Sequence, residues 1–212
     1  MLHLQVFTFN PFSENTYLIY NDNQECWIVD PGMINEQECQ ELFSFIESHQ
    51  LQPQAIINTH AHIDHILGVD VVAQRYNIPF YLHELEMPVL NNAANTARMF
   101  GFEYAGVQTK PGFLSEQHLL RLGNDPVTVL LVPGHSPGSI AFYYEKGDWV
   151  ISGDALFAGS IGRTDLLLGD HPTLIHSIKT QLLPLPAQTA VHSGHGPSTT
   201  IGQELNSNPF LN

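Results

Sequence analysis

The sequence predicts an α/β fold in which two mixed β-sheets pack face to face and carry helices on their outer surfaces. Three observations predict it. A strand meander followed by helices occurs twice along the 212 residues. Some strands, such as Ala55 to Ile57, are short apolar runs, the pattern of strands covered on both faces. No shift of composition marks a linker, and a single core serves chains of up to roughly 250 residues. The expectation is one domain over residues 1–212 with two pseudo-repeated halves, roughly 1–105 and 125–212.

The first half opens with three strand-like stretches, "LHLQVFTF", "NTYLIYN" and "CWIVDPG", rich in β-branched and aromatic residues and separated by Asn, Pro, Asp and Gly. "INEQECQELFSFIESHQ" then places Cys39, Leu42, Phe43 and Ile46 at helical spacing, before Pro53 and a short buried strand from Ala55 to Ile57. "ILGVDVVAQRYN" has a helical pattern, "PFYLH" reads as a strand, and "ELEMPVLNNAANTARMFG" reads as a helix broken at Pro88. Gly101 to Gly112 reads as loop; Met99, Phe100, Phe102 and Tyr104 are either an apolar wall over a site or core of the helical layer. In the second half "VTVLLV", "SIAFYYE" and "DWVISGD" are strands, "HPTLIHSIKTQLL" is a helix and "TAVHSGH" a further strand.

Charge narrows the possible partners. Twenty-one acids against seven Lys+Arg give a net charge of −14, a field that repels phosphate backbones and anionic membranes, so nucleic acid and membrane are not expected. The N-terminus has neither a basic n-region nor an uninterrupted apolar h-region, and no run of 18 apolar residues occurs, so a cytoplasmic location is expected. Cys26 and Cys39 make no disulfide framework and read as reduced structural thiols. The oligomeric state is left open.

Against this acidic background, "NTHAHIDH" sets His60, His62, Asp64 and His65 within six residues directly after an apolar run. A lone histidine is ordinarily a surface or hydrogen-bonded core residue; three with an interleaved aspartate would be costly to pack without a cation, because their protonation puts like charges together. One short loop cannot surround two ions, and other strand ends complete the pattern. "LLVPGH" ends at His135, "VISGD" at Asp154 and "AVHSGH" at His195, each an apolar run, a glycine and a metal-competent side chain. Glycine beside a ligand lets the backbone approach closely. Taken singly, Asp154 could be a helix cap and His195 a turn residue. Taken together, strand ends delivering five His and two Asp point to one crevice. Imidazole with carboxylate suits zinc, iron or manganese.

The motifs "THAHIDH", "GHSPGS", "SGDALF" and the late "SGHG" resemble the metal signature of the metallo-β-lactamase superfamily, in particular its glyoxalase II-like hydrolases, over nearly the whole chain. The resemblance implies a four-layer αββα sandwich. It implies that His60, His62 and His135 hold one metal, that Asp64, His65 and His195 hold a second, and that Asp154 bridges them. It further implies two divalent ions, most readily zinc with iron or manganese as alternatives, and a nucleophile made by lowering the pKa of bound water from about 15.7 toward 7. The expected activity is hydrolysis of a hydroxyacyl thioester such as S-lactoylglutathione, with Asp64 both ligand and catalytic residue steering the hydroxide. The partner is then a small-molecule thioester.

"GSIGRTDLLLGD" resembles a segment of compact glyoxalase II-like proteins and of persulfide dioxygenases. Within it Arg163 is either a pin paired with Asp165 or Asp170 or a contact to substrate carboxylate. Tyr143 and Tyr144 are candidate substrate contacts, although strand alternation turns one of them away. His171 and His192 lie near enough in sequence to ligands to be candidates for orienting them. Larger glyoxalase II enzymes carry a C-terminal helical domain whose basic residues help hold glutathione, and these 212 residues contain no such region. Competing readings are a mononuclear iron persulfide dioxygenase, a β-lactamase, and a non-catalytic metal-stabilised binding domain.

Overall fold

The computed structural model describes residues 1–116 and 118–211. The chain begins with β1 (Leu2–Phe9), β2 (Glu14–Asn21) and β3 (Glu25–Val29), followed by α1 (Glu36–Ser48), β4 (Gln52–Ile57), α2 (Val69–Tyr76) and β5 (Phe80–His83). Helices α3 (Met87–Asn91) and α4 (Ala93–Met99) precede β6 (Pro111–Leu114), β7 (Leu119–Leu122), β8 (Asp125–Leu131), β9 (Ile140–Tyr144) and β10 (Trp149–Gly153). The remainder comprises the hairpin β11 (Leu156–Phe157) and β12 (Ser160–Ile161), α5 (His171–Ser177), β13 (Ala190–Ser193), β14 (Thr199–Thr200) and α6 (Ile201–Ser207).

The strands form two six-stranded sheets, ordered β1-β2-β3-β4-β5-β6 and β14-β13-β10-β9-β8-β7. Both are mixed. In the first, β1 to β3 pair antiparallel and β3 to β6 parallel. In the second, only β10 and β13 pair in parallel. Three apolar clusters define the layers. Ile19, Trp27, Val29 and Ile57 of the first sheet meet Val127, Val129, Phe142 and Ile151 of the second. Leu42, Phe43 and Ile46 of α1 and Val69 and Val72 of α2 pack on the outer side of the first sheet. Leu174 of α5, Ile178, Leu182 and Ile201 of α6 cover the second. The result is the expected four-layer αββα sandwich.

Local chemistry explains the boundaries. Asn35 accepts a hydrogen bond from Glu38 N at 3.0 Å and starts α1, and Asn77 ends α2 in the left-handed region at φ 52°. Pro88 does not break a helix, as its position suggested. It stands in the first turn of α3, where its missing N–H costs nothing, and the helical stretch divides instead at Asn92. The loop expected up to Gly112 gives way to β6 at Pro111, and β7, β11, β12, β14 and α6 had no counterpart in the sequence reading. These are elements of two to seven residues, too short to show a period. The tail packs through Leu211, buried in the α5/α6 cluster, while Phe210 is exposed. Cys26 and Cys39 are free, and burial pushes the Cys26 thiol up to about 12. Among the described residues, no helix is long and apolar enough to cross a membrane.

Candidate metal centre

The sequence-predicted ligands converge at the carboxyl ends of four strands. His60, His62, Asp64 and His65 follow β4, the last two in a 3-10 turn at Ile63–His65; His135 follows β8, Asp154 follows β10 and His195 follows β13. The sheets are tied here by Ile140 N donating to Thr59 O at 2.9 Å and Asn15 N to Gly194 O at 2.7 Å. Two glycines make the approach possible. Gly153 adopts φ 51°, and a Cβ on it would meet Thr59 Oγ1 at 2.5 Å. On Gly194 a Cβ would overlap Asp154 Oδ1 and lie 2.7 Å from His65 Cε1.

The seven side chains form two groups. His60, His62 and His135 bring their ligand atoms within 4.8 Å of one another, as do Asp64, His65 and His195. Asp154 stands between them: Oδ2 is 3.5 Å from both His135 Nε2 and His195 Nε2, and Oδ1 is 3.5 Å from His65 Nε2. Asp64 Oδ2 lies 3.2 Å from His195 Nε2.

Outer hydrogen bonds decide which nitrogen of each ring is free. His135 Nδ1 donates to Arg163 O at 2.7 Å, and His195 Nδ1 to Phe12 O at 3.0 Å. His65 Nδ1 donates to Asp30 Oδ2 at 3.1 Å. Thr59 Oγ1 gives its own proton to Asp30 at 2.5 Å and so accepts from His60 Nδ1 at 3.0 Å. Four rings therefore turn Nε2 inward. His62 instead presents Nδ1, 2.8 Å from His135 Nε2. His60 Nε2, His65 Nε2 and Asp154 Oδ1 are buried with no hydrogen-bond partner. Buried polar atoms are normally paired, and orphans converging on one point are what a cation would satisfy. The donor set of imidazole and carboxylate fits a divalent transition metal.

Electrostatics divide the centre. Burial, the dominant influence, pulls His60 far below the usual imidazole value, His62 down to about 3 and His135 down as well. Burial opposes protonation of His65 too, but Asp64, Asp154 and Asp30 outweigh it and raise that ring to about 9. His195 rises to about 11 because hydrogen bonds to Asp154 and Asp64 overcome its burial. Asp154 is held well below the carboxylate range by the surrounding imidazoles, against its burial.

Three buried carboxylates that sequence reasoning missed brace the ligands. Asp30 accepts from Thr59 N at 2.7 Å as well as from Thr59 Oγ1 and His65. Glu86 accepts from Ala61 N at 2.8 Å, Gly138 N at 2.6 Å and Ser136 Oγ, joining the His62 and His135 loops. Glu14 accepts from Thr16 Oγ1 at 2.9 Å, and its Oε1 lies 3.8 Å from His65 Nδ1. Only the "VDPG" turn could have signalled Asp30, by an acid closing an apolar strand as at Asp154. His171 and His192 do not brace ligands. The first is exposed at the start of α5, and the second bonds Ser198 Oγ at 2.9 Å.

The centre opens into a crevice of about 800 Å³ walled by Phe12, Phe100, Phe157, Ile161, Leu166 and Leu167. Phe12 and Phe100 meet edge to face at 5.1 Å across it. The stretch after α4 therefore serves both purposes the sequence left open: Met99 and Phe100 line the crevice, and Phe102 and Tyr104 pack on the core. Arg163 reaches the crevice but is paired with Asp165 through two hydrogen bonds of 2.7 Å, which pull that carboxyl down to about 2. Tyr143 and Tyr144 are corrected by the structure as substrate contacts. Tyr144 is buried between the sheets with its hydroxyl donating to Asp125 at 2.8 Å, and Tyr143 packs on the α5/α6 cluster; neither lines the crevice.

An αββα sandwich with a triad of three histidines and a triad of one aspartate and two histidines on either side of a shared aspartate defines a metal-dependent hydrolase. The chain belongs to the metallo-beta-lactamase superfamily, whose family model matches residues 9–195. It is 42% identical over 206 residues to the probable metallo-hydrolase YqgX of Bacillus subtilis (strain 168), covering 95% of this chain and 94% of the relative. It is 34% identical over 213 residues to the hydroxyacylglutathione hydrolase GloC of Haemophilus influenzae, covering 100% and 99%. Among solved structures, BLEG-1 B3 metallo-beta-lactamase matches with a TM-score of 0.88 and 43% identity, covering 99% of each chain. TTHA1623 in a di-iron-bound form matches with a TM-score of 0.87 and 40% identity, covering 98% and 100%.

Proposed function

We propose that the protein hydrolyses hydroxyacyl thioesters of the S-lactoylglutathione type at a site holding two divalent metal ions, zinc first, with iron or manganese as alternatives. The observation that carries this reading is the pair of triads that share Asp154, with His60 Nε2, His65 Nε2 and Asp154 Oδ1 buried among them without a protein partner. The name of the Haemophilus relative supports the thioester class, and the di-iron form of the TTHA1623 neighbour keeps iron among the metals. Bound ions supply a water of lowered pKa and polarise an acyl oxygen.

The chain's own residues do the rest. His60, His62 and His135 would hold one ion and Asp64, His65 and His195 the other, with Asp154 between. Asp64, which lines the crevice, would also accept a hydrogen bond from the attacking water and steer it. Asp30 and the Arg163 and Phe12 carbonyls keep the imidazole rings from rotating. Phe12, Phe100, Phe157 and Ile161 exclude bulk water from the acyl group. The substrate is a small molecule; the net charge of −14 disfavours nucleic acid.

β-Lactam opening is a second reading, favoured by the identity to the BLEG-1 B3 metallo-beta-lactamase. A mononuclear iron dioxygenase has less support, since it leaves the Asp64, His65 and His195 group without a task. The test is elemental analysis of protein purified without added metal, with S-lactoylglutathione hydrolysis, nitrocefin hydrolysis and oxygen uptake on glutathione persulfide measured on the same sample. About two ions per chain with thioester turnover is expected. One iron with oxygen uptake, or nitrocefin turnover without thioester turnover, overturns it.

A further inference from the structure

The walls of the crevice bear on which thiol the acyl group is carried by. Resting on the thioesterase reading, we propose that among hydroxyacyl thioesters the site prefers those whose thiol carrier is uncharged and apolar over those of glutathione, because Asp165 neutralises the one Lys or Arg side chain of the lining that could receive an anionic carrier. Among the described residues lining the crevice, Arg163 is the sole Lys or Arg. Asn92, Thr96 and Ser160 add only neutral polar groups to the lining, and its large exposed side chains besides the Arg163–Asp165 pair are apolar: Met99 is 84% exposed, Phe100 52% and Leu167 47%.

Glutathione brings a pair of carboxylates and one ammonium to such a rim. Laying carboxylates against Met99, Phe100 and Leu167 strips them of water with no free cation to replace it. Arg163 does not offer that replacement. Its Nε and an Nη each donate to a different Asp165 oxygen at 2.7 Å, filling the fork that a substrate carboxylate would use. Asp165 lies two positions away in the chain, so its local concentration exceeds that of any free ligand. An incoming carboxylate would exchange one ion pair for another and leave Asp165 unpaired beside it. An apolar carrier instead gains from covering the Phe12 and Phe100 rings and Met99, which contact water now.

The test uses the metal-loaded protein and two thioethers with no cleavable bond, S-hexylglutathione and the S-hexyl thioether of N-acetylcysteamine, titrated by calorimetry. The neutral ligand is expected to bind about tenfold tighter or better, a preference of the size that unreplaced carboxylate hydration produces. In Asp165→Asn, Arg163 is released, and the ratio should narrow by about two- to fivefold in favour of the glutathione ligand, the range of an exposed ion pair. Equal or tighter binding of S-hexylglutathione to the native protein overturns the proposal, as does an unchanged ratio in Asp165→Asn. Turnover of the lactoyl thioesters of both thiols, measured in parallel, keeps the two readings apart. If the binding preference holds and neither thioester is cleaved, the hydrolase reading falls and the carrier preference stands.

Discussion

Each imidazole of the centre is fixed by where its outer nitrogen goes, so the ligands are only as well placed as their carbonyl and carboxylate acceptors. Asp30 is the most exacting of these, since one buried side chain orients His65 directly and His60 through Thr59. Asp30→Asn should lower metal affinity about 10- to 100-fold, read by competition with a chromogenic chelator. Gly194→Ala must displace Asp154 or His65, because the added Cβ would overlap both; metal stoichiometry by elemental analysis should fall below that of the native protein while far-UV dichroism is retained. The seven side chains that converge at the centre were legible as a set in the sequence because metal binding needs particular side chains at strand ends. Asp30, Glu14 and Glu86 were not, because a bracing carboxylate is recognised by what it touches, and those contacts span 25 to 52 residues for Asp30 and Glu86. Tyr143 and Tyr144 misled for the converse reason: closeness in sequence to "GSIAF" says nothing about which side of a strand end faces the crevice.

At the scale of elements, the site depends on loops that sit on two different sheets being held in register. Glu86, in the turn before α3, performs this for the His62 and His135 loops by accepting from Ala61, Ser136 and Gly138. Glu86→Ala leaves those buried donors unpaired, each at about 1–3 kcal/mol, and should lower the melting temperature by roughly 6–12 °C for a loss of about 3 kcal/mol. The longer elements, β1 to β4, α1, α2 and β8 to β10, were legible because period or apolar run length exceeds what chance produces. The short ones were not. Strands β11, β12 and β14 and helix α6 are held by tertiary partners such as Glu204, which accepts from Gly159 N at 2.9 Å and Thr199 Oγ1 at 2.5 Å. Pro88 shows the same limit, since its effect depends on whether a helix begins or continues at that residue.

For the whole molecule, proton uptake and metal binding compete at one locus. Once the metal has been stripped, His60, His62 and His135 resist protonation in the folded state, because burial holds them below the unfolded value of about 6.5. The unfolded chain then binds more protons than the folded one below that pH, so stability falls as pH drops from 6.5 toward the folded values. His65 and His195, raised to about 9 and about 11, act oppositely: their contribution is complete below 6.5 and is lost as pH rises through those values. Thermal melts of chelator-treated protein should therefore peak near neutrality and decline on both sides, and loading with metal should flatten the profile. A flat profile for the stripped protein would contradict this assignment of protons. The convergence of ligands has a mechanical side as well. Each triad draws on both sheets, His60 and His62 with His135, and Asp64 and His65 with His195. An ion seated in either triad is thus a rivet through the seam between residues 2–114 and 119–200, and removing it turns a clamped seam into one that can open by breathing. Trypsin should accordingly cut the chelator-treated protein faster than the loaded one.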